Sequence, residues 1–540
     1  MRTRASSGST SRRGAGVIGL PMLAALACMG TWALPAEAQL NEDRPDFTQQ
    51  LSMALVRNAK QLCSVIFVVG RTPKQAMAIG DITRWEGLNE WWRWDKIDVH
   101  VDTVRKRVSL GRYPAPPRTA VFNESQGCTM LPVGEDRVFF DPVVVHPNLP
   151  SADGTPWPMG DAPDHKKVVG INVAKVTAAL DSAFKNNNPE KGERGWVVLH
   201  DGVIVGERYA TGYDKNTRNL GFSEGKSVLA TLVGILVGDG HLKVDDRAPI
   251  SEWKAPDPRS LITIRNLMNM TGGLACNNYG QTHPLHFTPQ DQHSIGYNDG
   301  VDAVQASISQ HLRFLPGTVY RYMNCDVLSI VKVVRQTIEK EYTVDQLAFP
   351  QRALFDKIGI RTFIVEPDPF GNFLFMGHDY AVTRDWARLG LLYQQHGMFN
   401  GKRVLPEGWD TFVSTPSAAN AGYGAFFWLA TPANGIPKDA YYMSGAEGET
   451  TLIMPTHGVV IAKHAWSPVK DFNKLVRMIA DAVVQTSNDC MNNAWRDYSF
   501  EGESQCVAYV AQRGPTPAGP LPAARSRATT AEPPPPTRDR

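Results

Sequence analysis

Gly221-Phe222-Ser223-Glu224-Gly225-Lys226-Ser227 opens an apolar run, Val228 to Val237, that has to be an interior helix or strand. Its length predicts a helix. A helix starting near Ser223 puts Ser223 and Lys226 on one side of its first turn, because residues three apart are neighbours on a helix surface. A serine hydroxyl is a weak nucleophile at neutral pH, whereas a neighbouring amine whose pKa is lowered by desolvation can take its proton. The bare Ser-x-x-Lys pattern is short and common by chance. The stretch also nearly spells a phosphate loop, G-x-x-x-x-G-K-[ST], but Leu220 stands where that loop needs its first glycine. The serine reading therefore depends on partners further along the chain.

At the start, Arg2, Arg4, Arg12 and Arg13 precede an apolar stretch from Val17 to Leu34 that ends at Ala36-Glu37-Ala38. This predicts a secretory signal over 1–38, cleaved after Ala38. Arg12-Arg13 leaves a twin-arginine route open, and Ala27-Cys28 leaves lipidation open. The net charge of +2 includes four arginines and Glu37 of that segment, together +3, so the chain beyond it sits near −1. A chain so balanced does not attract nucleic acid. With 42% hydrophobic and 20% charged residues it suits a globular protein with no membrane span left once the signal is removed. Its oligomeric state stays open.

Without Cys28, six cysteines remain, an even set that suits disulfides in an exported protein. Sequence proximity and segment organisation favour Cys63–Cys128, Cys276–Cys325 and Cys490–Cys506.

The segment 41–161 has its own character. A helical pattern spans Phe47 to Cys63, an alternating strand Ile97 to Val101, and a hairpin mate Val104 to Leu110. Trp85, Trp91, Trp92 and Trp94 cluster before the strand, as a subdomain core or a wall over a substrate pocket. The proline-rich run from Pro147 to Pro163 reads as a linker. An amphipathic helix, Val173 to Phe184, then precedes a hairpin, 195–200 and 203–209, joined by Asp201-Gly202. A short helix follows from Leu261, with Thr263 as its cap and Thr271-Gly272-Gly273 as its stop. The loop bearing His283, His286, Asp291 and His293 matches no zinc-hydrolase spacing, so no metal or other cofactor is expected. Tyr322-Met323-Asn324 then leads into an apolar helix, Val327 to Ile338. A tyrosine and an asparagine two apart in extended chain project to one side, where a phenol can relay protons and an amide can hold a carbonyl.

The set Ser223-x-x-Lys226, Ile264-Arg-Asn-Leu267 with Met270-Thr-Gly-Gly-Leu274, Tyr322-x-Asn324 and Thr383-Arg-Asp385-Trp-Ala-Arg-Leu-Gly390 resembles the serine β-lactamase and penicillin-recognising superfamily over most of 168–484. Class C β-lactamases, their esterase relatives and 6-aminohexanoate-dimer hydrolases are the nearer likeness. The resemblance implies Ser223 as nucleophile, Lys226 and Tyr322 sharing the proton work, and an oxyanion hole from the backbone amides of Ser223 and Ala446. It also implies substrate contacts at Asn324, Met443, Ser444 and Gly445. The third family motif departs here, since Met443 stands where a cation is usual.

The fold class expected is α+β, an antiparallel sheet flanked by helices with a mostly helical subdomain, plus a small N-terminal α+β segment. The expected organisation is a signal at 1–38, an accessory subdomain at 41–161, the hydrolase domain at 168–484, a disulfide-linked extension at 485–513 and a disordered tail at 514–540. The activity implied is cleavage of a small-molecule ester or amide through an acyl-enzyme, in the periplasm or outside the cell. A non-catalytic ligand-binding protein that keeps the fold is the alternative. Met443, together with negative potential from Glu224, Glu447 and Glu449, predicts poor β-lactam turnover and a preference for neutral or cationic substrates. His378 or Arg384 would be the substitute cation if Met443 packs away from the cleft.

Overall fold

The computed structural model describes residues 47–78, 94–164, 166–189, 191–276, 300–467 and 471–513. Its centre is a six-stranded antiparallel sheet in the order Trp428–Leu429, Tyr441–Ser444, Thr450–Met454, Val459–Ala465, Glu193–His200, Val203–Tyr209. Two distant parts of the chain meet where Val459 pairs with His200 and Ile461 with Val198. The hairpin 193–209 turns at Asp201 (φ 47°) and Gly202 (φ 82°), and two successive left-handed residues suit the right-handed twist of the flanking strands.

Strand alternation divides the sheet into two faces. Trp196, Val198, Leu452, Met454 and Ile461 pack with the helices Val173–Ala183 and Phe472–Ala480. Val197, Leu199, Ile453, Val460 and Ala462 join the larger core with the helices Gly225–Gly238, Asn324–Glu341 and Thr383–Gln394. Every residue of Gly225–Gly238 from Gly225 to Leu236 is buried, as a helix apolar on all sides demands. Each fully buried Leu, Val or Ile there contributes roughly 1.5–3 kcal/mol relative to exposure. This is the antiparallel sheet flanked by helices that the sequence predicts.

A second, three-stranded sheet, Arg218–Leu220, Asp379–Val382 and Ile364–Val365, has Asp379–Val382 in the middle. It delivers the chain into the Ser223 turn, where the Gly221 amide donates to the Asp379 carbonyl at 2.8 Å.

The N-terminal segment lays the helix Phe47–Phe67 across a four-stranded meander, 98–102, 107–112, 115–122 and 128–130, around its own apolar cluster. Cys63–Cys128, Cys276–Cys325 and Cys490–Cys506 are bonded. After the last pair's short segment, the helix Glu503–Arg513 returns to the main sheet, with the Tyr509 hydroxyl donating to Asp201 Oδ2 at 2.6 Å.

One sequence expectation is corrected here. The run 147–163 is strapped down rather than a linker. Trp157 is buried and donates to the Gly202 carbonyl at 2.8 Å, Arg388 donates to the Pro158 and Gly160 carbonyls, and Arg361 to those of Pro150 and Met159. Proline-rich chain forms no ladder of its own, so arginines from the helical layer satisfy its carbonyls. The apolar run Tyr423–Leu429 is a strand only at Trp428–Leu429. Phe426 sits at φ 60°, its amide bonded to the Met268 carbonyl and its carbonyl to Ser227 Oγ at 2.6 Å. The helical layer thus takes the backbone groups a ladder would have used. Trp85, Trp91, Trp92, His283, His286, Asp291, His293, the signal and the tail lie outside the described residues, while Trp94 begins the short turn Trp94–Lys96.

Candidate active site

Ser223 lies in a single 3₁₀ turn, Phe222–Glu224, that runs directly into the helix Gly225–Gly238. Phe222 takes φ 51°, a costly geometry for a bulky residue, held by the short sheet before it and the buried helix after it. Ser223 is half-buried and Lys226 is 1% exposed. Lys226 Nζ donates to Ser223 Oγ at 2.8 Å and to the Met376 carbonyl at 2.9 Å. Burial pushes the Lys226 pKa down to about 7, with Asp379 acting in the opposite sense. A substantial fraction of this amine is therefore unprotonated at neutral pH and within reach of the hydroxyl proton.

Tyr322 is the second side chain at the amine, which lies 4.9 Å from its ring centroid. The ring stands 5.5 Å from Trp428 and 6.0 Å from Tyr423, and Tyr320 lies 5.3 Å from Tyr423. These four aromatics form a cluster beside Lys226 that no single stretch of sequence announces. Asn324 begins the helix Asn324–Glu341 rather than preceding it. It is 2% exposed, and neither amide atom has a hydrogen-bond partner among the described residues.

The Tyr322 segment is fixed from below. The Arg321 amide donates to the Met270 carbonyl and the Gly317 amide to that of Thr271, at 2.9 and 2.8 Å. The buried carboxyl of Asp326 accepts from the Gly272 amide at 2.9 Å. A Cβ on Gly272 would stand 2.6 Å from that carboxyl, so the Met270-Thr-Gly-Gly-Leu turn needs glycine for this close approach. Cys276–Cys325 ties the same two elements covalently.

On the other side, the end of the strand Tyr441–Ser444 abuts the nucleophile turn. A Cβ on Gly445 would collide with the Gly221 carbonyl and lie 3.0 Å from Phe222 Cβ. Ser444 and Gly445 are half-buried and Ala446 is exposed. Met443 is 0% exposed and belongs to the core shared with the helical layer, which corrects the expectation that it contacts substrate. Alternation explains it, because Met443 shares a sheet face with Ile453 and Val460.

The expected negative potential is also corrected. Glu224 is 0% exposed and points under the sheet, with Oε2 3.6 Å from His464 Nε2. Burial raises its pKa well above the usual carboxylate range, and burial pushes His464 down to about 3. His464 is therefore neutral at pH 7, and burial disfavours the charged form of Glu224. Glu449 is 1% exposed, accepts from the Ala465 amide at 2.9 Å and is likewise raised by burial. Glu447, half-buried on its loop, is the one of the three outside the interior. Nor does either substitute cation serve the cleft. Arg384 is engaged by Glu207 at 2.7 Å and Asp161 at 3.6 Å, and His378 is 5% exposed with Nδ1 3.8 Å from Glu366.

Asp379 is the residue that sequence reasoning missed. It precedes the Thr383-Arg-Asp385 motif with no pattern of its own, and only the pairing of Arg218–Leu220 with Asp379–Val382 brings it to Ser223.

The chain belongs to the beta-lactamase family, whose model matches residues 194–483. It is 22% identical over 269 residues to a 6-aminohexanoate-dimer hydrolase of Paenarthrobacter ureafaciens, covering 49% of this chain and 67% of that protein. Among solved structures it is similar to a penicillin-binding protein homologue from Caulobacter crescentus, with 16% identity, TM-score 0.46 and coverage of 59% and 99%. A family VIII carboxylesterase gives 14% identity, TM-score 0.45 and coverage of 59% and 99%. Among the described residues no helix is long and apolar enough to cross a membrane.

Proposed function

We propose that this chain is an exported serine hydrolase in which Ser223 attacks an ester or amide carbonyl and forms an acyl-enzyme that water releases. The observation that carries the reading is the 2.8 Å contact from Lys226 Nζ to Ser223 Oγ, made by an amine whose pKa burial lowers to about 7. Lys226 takes the hydroxyl proton, and Tyr322 beside it passes a proton to the leaving group. The amides of Ser223 and Ala446 would hold the oxyanion, with Asn324, Ser444 and Gly445 toward substrate. The separate apolar cluster of the helix and four-stranded meander supports treating 41–161 as an accessory subdomain to a hydrolase domain at 168–484, with 485–513 an extension. Exported disulfide chemistry fits the three bonded pairs.

Among the described residues no charged partner stands at the position of the third motif, since Met443 is core and Arg384 is paired elsewhere. Neutral esters or amides beside the aromatic cluster are therefore preferred over carboxylate-bearing β-lactams. A fluorophosphonate probe followed by peptide mapping tests the nucleophile. Labelling at Ser223, lost in Ser223→Ala, supports the reading; labelling elsewhere, or none with no ester hydrolysis, leaves the fold as a binding protein. A clear preference for a carboxylate-bearing ester over its neutral match would overturn the substrate class.

A further inference from the structure

We propose that Asp379 is a positioning residue of the nucleophile turn, its buried carboxyl lodged beneath Ser223 between Gly221 and Gly225 and acting on Lys226 by charge. This rests on the serine-hydrolase reading above. Asp379 is 0% exposed, and neither carboxyl oxygen has a hydrogen-bond partner among the described residues. A buried carboxyl without partners is expensive; such a group persists where the surrounding structure uses it.

The two glycines flanking the nucleophile show how closely it is fitted. A Cβ on Gly221 would collide with Asp379 Oδ2, and one on Gly225 would stand 2.8 Å from Oδ1. Any larger residue at either position would displace the carboxyl or the turn. Asp379 also holds the turn through its backbone, accepting from the Gly221 amide. One residue therefore touches the segment before Ser223 and the segment between Ser223 and Lys226.

The titratable groups that face Asp379 are few. Lys226 and Glu224 come from the nucleophile turn and helix, and Glu366 from the adjoining segment. His378 adjoins it in sequence and faces Glu366. Burial disfavours the charged form of Glu224, and Glu366 is engaged by Lys60. Lys226 is left as the opposite charge that Asp379 can answer. Burial raises the carboxyl and lowers the amine, so the two compete for one proton. With the proton on the carboxyl, the amine is free to accept from Ser223. With it on the amine, the carboxylate steadies the ammonium.

The test is the pH dependence of fluorophosphonate labelling of Ser223 in Asp379→Asn, which keeps shape and removes charge. Loss of the attraction that favours the ammonium should move the acid-side midpoint down by at least half a pH unit, with the melting temperature close to wild type. An unmoved or raised midpoint in the folded variant overturns the proposal. Absence of labelling in wild type would instead overturn the hydrolase reading. If the variant does not fold, carbon-13 titration of wild type decides. A common midpoint in the Asp379 carboxyl and Lys226 Cε supports the coupling, and an Asp379 signal that ignores the Lys226 titration overturns it.

Discussion

Among the described residues several buried lysines face carboxylates, and two of them, Lys60 and Lys226, differ in how completely the carboxylate is satisfied. Lys60, on the helix Phe47–Phe67, donates to Glu366 and to the Cys128 carbonyl. Glu366 also accepts from Ser64 Oγ and from the Cys128 amide, both at 2.7 Å. Every oxygen there has a partner, and the arrangement is a clasp between the helix Phe47–Phe67 and the segment after the strand Ile364–Val365. Lys226 is as deeply buried, yet its donors go to a serine hydroxyl and a carbonyl, while the carboxyl of Asp379 is left without a hydrogen bond. Saturation suits a structural anchor, and under-saturation suits the base proposed for Lys226. Burial alone does not distinguish them, since burial lowers both lysines from their ordinary value.

The largest break in that comparison is Lys226→Met. Removing the base should lower kcat for a chromogenic ester by about 10²–10⁴-fold, while thermal melting stays at or above the wild-type temperature because a desolvated amine has been replaced by an apolar chain. A folded variant with near wild-type turnover would end the role given to Lys226.

Lys60→Met should do the reverse. It strands the Glu366 carboxylate in the interior, at a cost of about 3–5 kcal/mol in denaturant unfolding. Adding Glu366→Gln should recover much of the loss. Turnover per folded molecule should fall far less than in Lys226→Met. Equal losses of turnover in the two variants would show the clasp to be part of the chemistry.

Cys276–Cys325 joins the turn after Met270 to the Tyr322 segment across 49 residues. Removing both sulfurs should cost roughly 4 kcal/mol by loop-closure entropy, read by denaturant titration. Loosening of Tyr322 should lower kcat more than it raises KM. An unchanged kcat would mean that Asp326 and the backbone bonds hold Tyr322 unaided.

The smallest effect is on the pH profile. A lysine whose pKa is lowered to about 7 is protonated and inactive below that value and free above it, so kcat/KM should rise with pH through about 7 and level above it. A limb near the ordinary lysine range would mean that Lys226 is solvated during turnover. Lys60 contributes no such limb, because its donors are already engaged.

Much of this was local and therefore legible in the sequence. The apolar run after Ser223, the Asp201-Gly202 hairpin, the Thr263 cap, which forms a reciprocal capping box with Asn266, and the order of the Ser223, Lys226 and Tyr322 motifs all depend on neighbours a few residues apart. Helical spacing alone puts Lys226 beside Ser223. What the sequence could not determine was set by pairings across more than a hundred residues. Strand alternation turns Met443 into a core that the distant helices complete, the packing of the Phe222–Glu224 turn puts Glu224 under the sheet, and burial then disfavours the charged forms of Glu224 and Glu449. The meeting of Arg218–Leu220 with Asp379–Val382 puts a carboxyl beneath the nucleophile. Which side of a strand faces the interior, and how much water each ionisable group loses, are properties of the assembled layers, and those two quantities decide whether a buried lysine here is a clasp or a base.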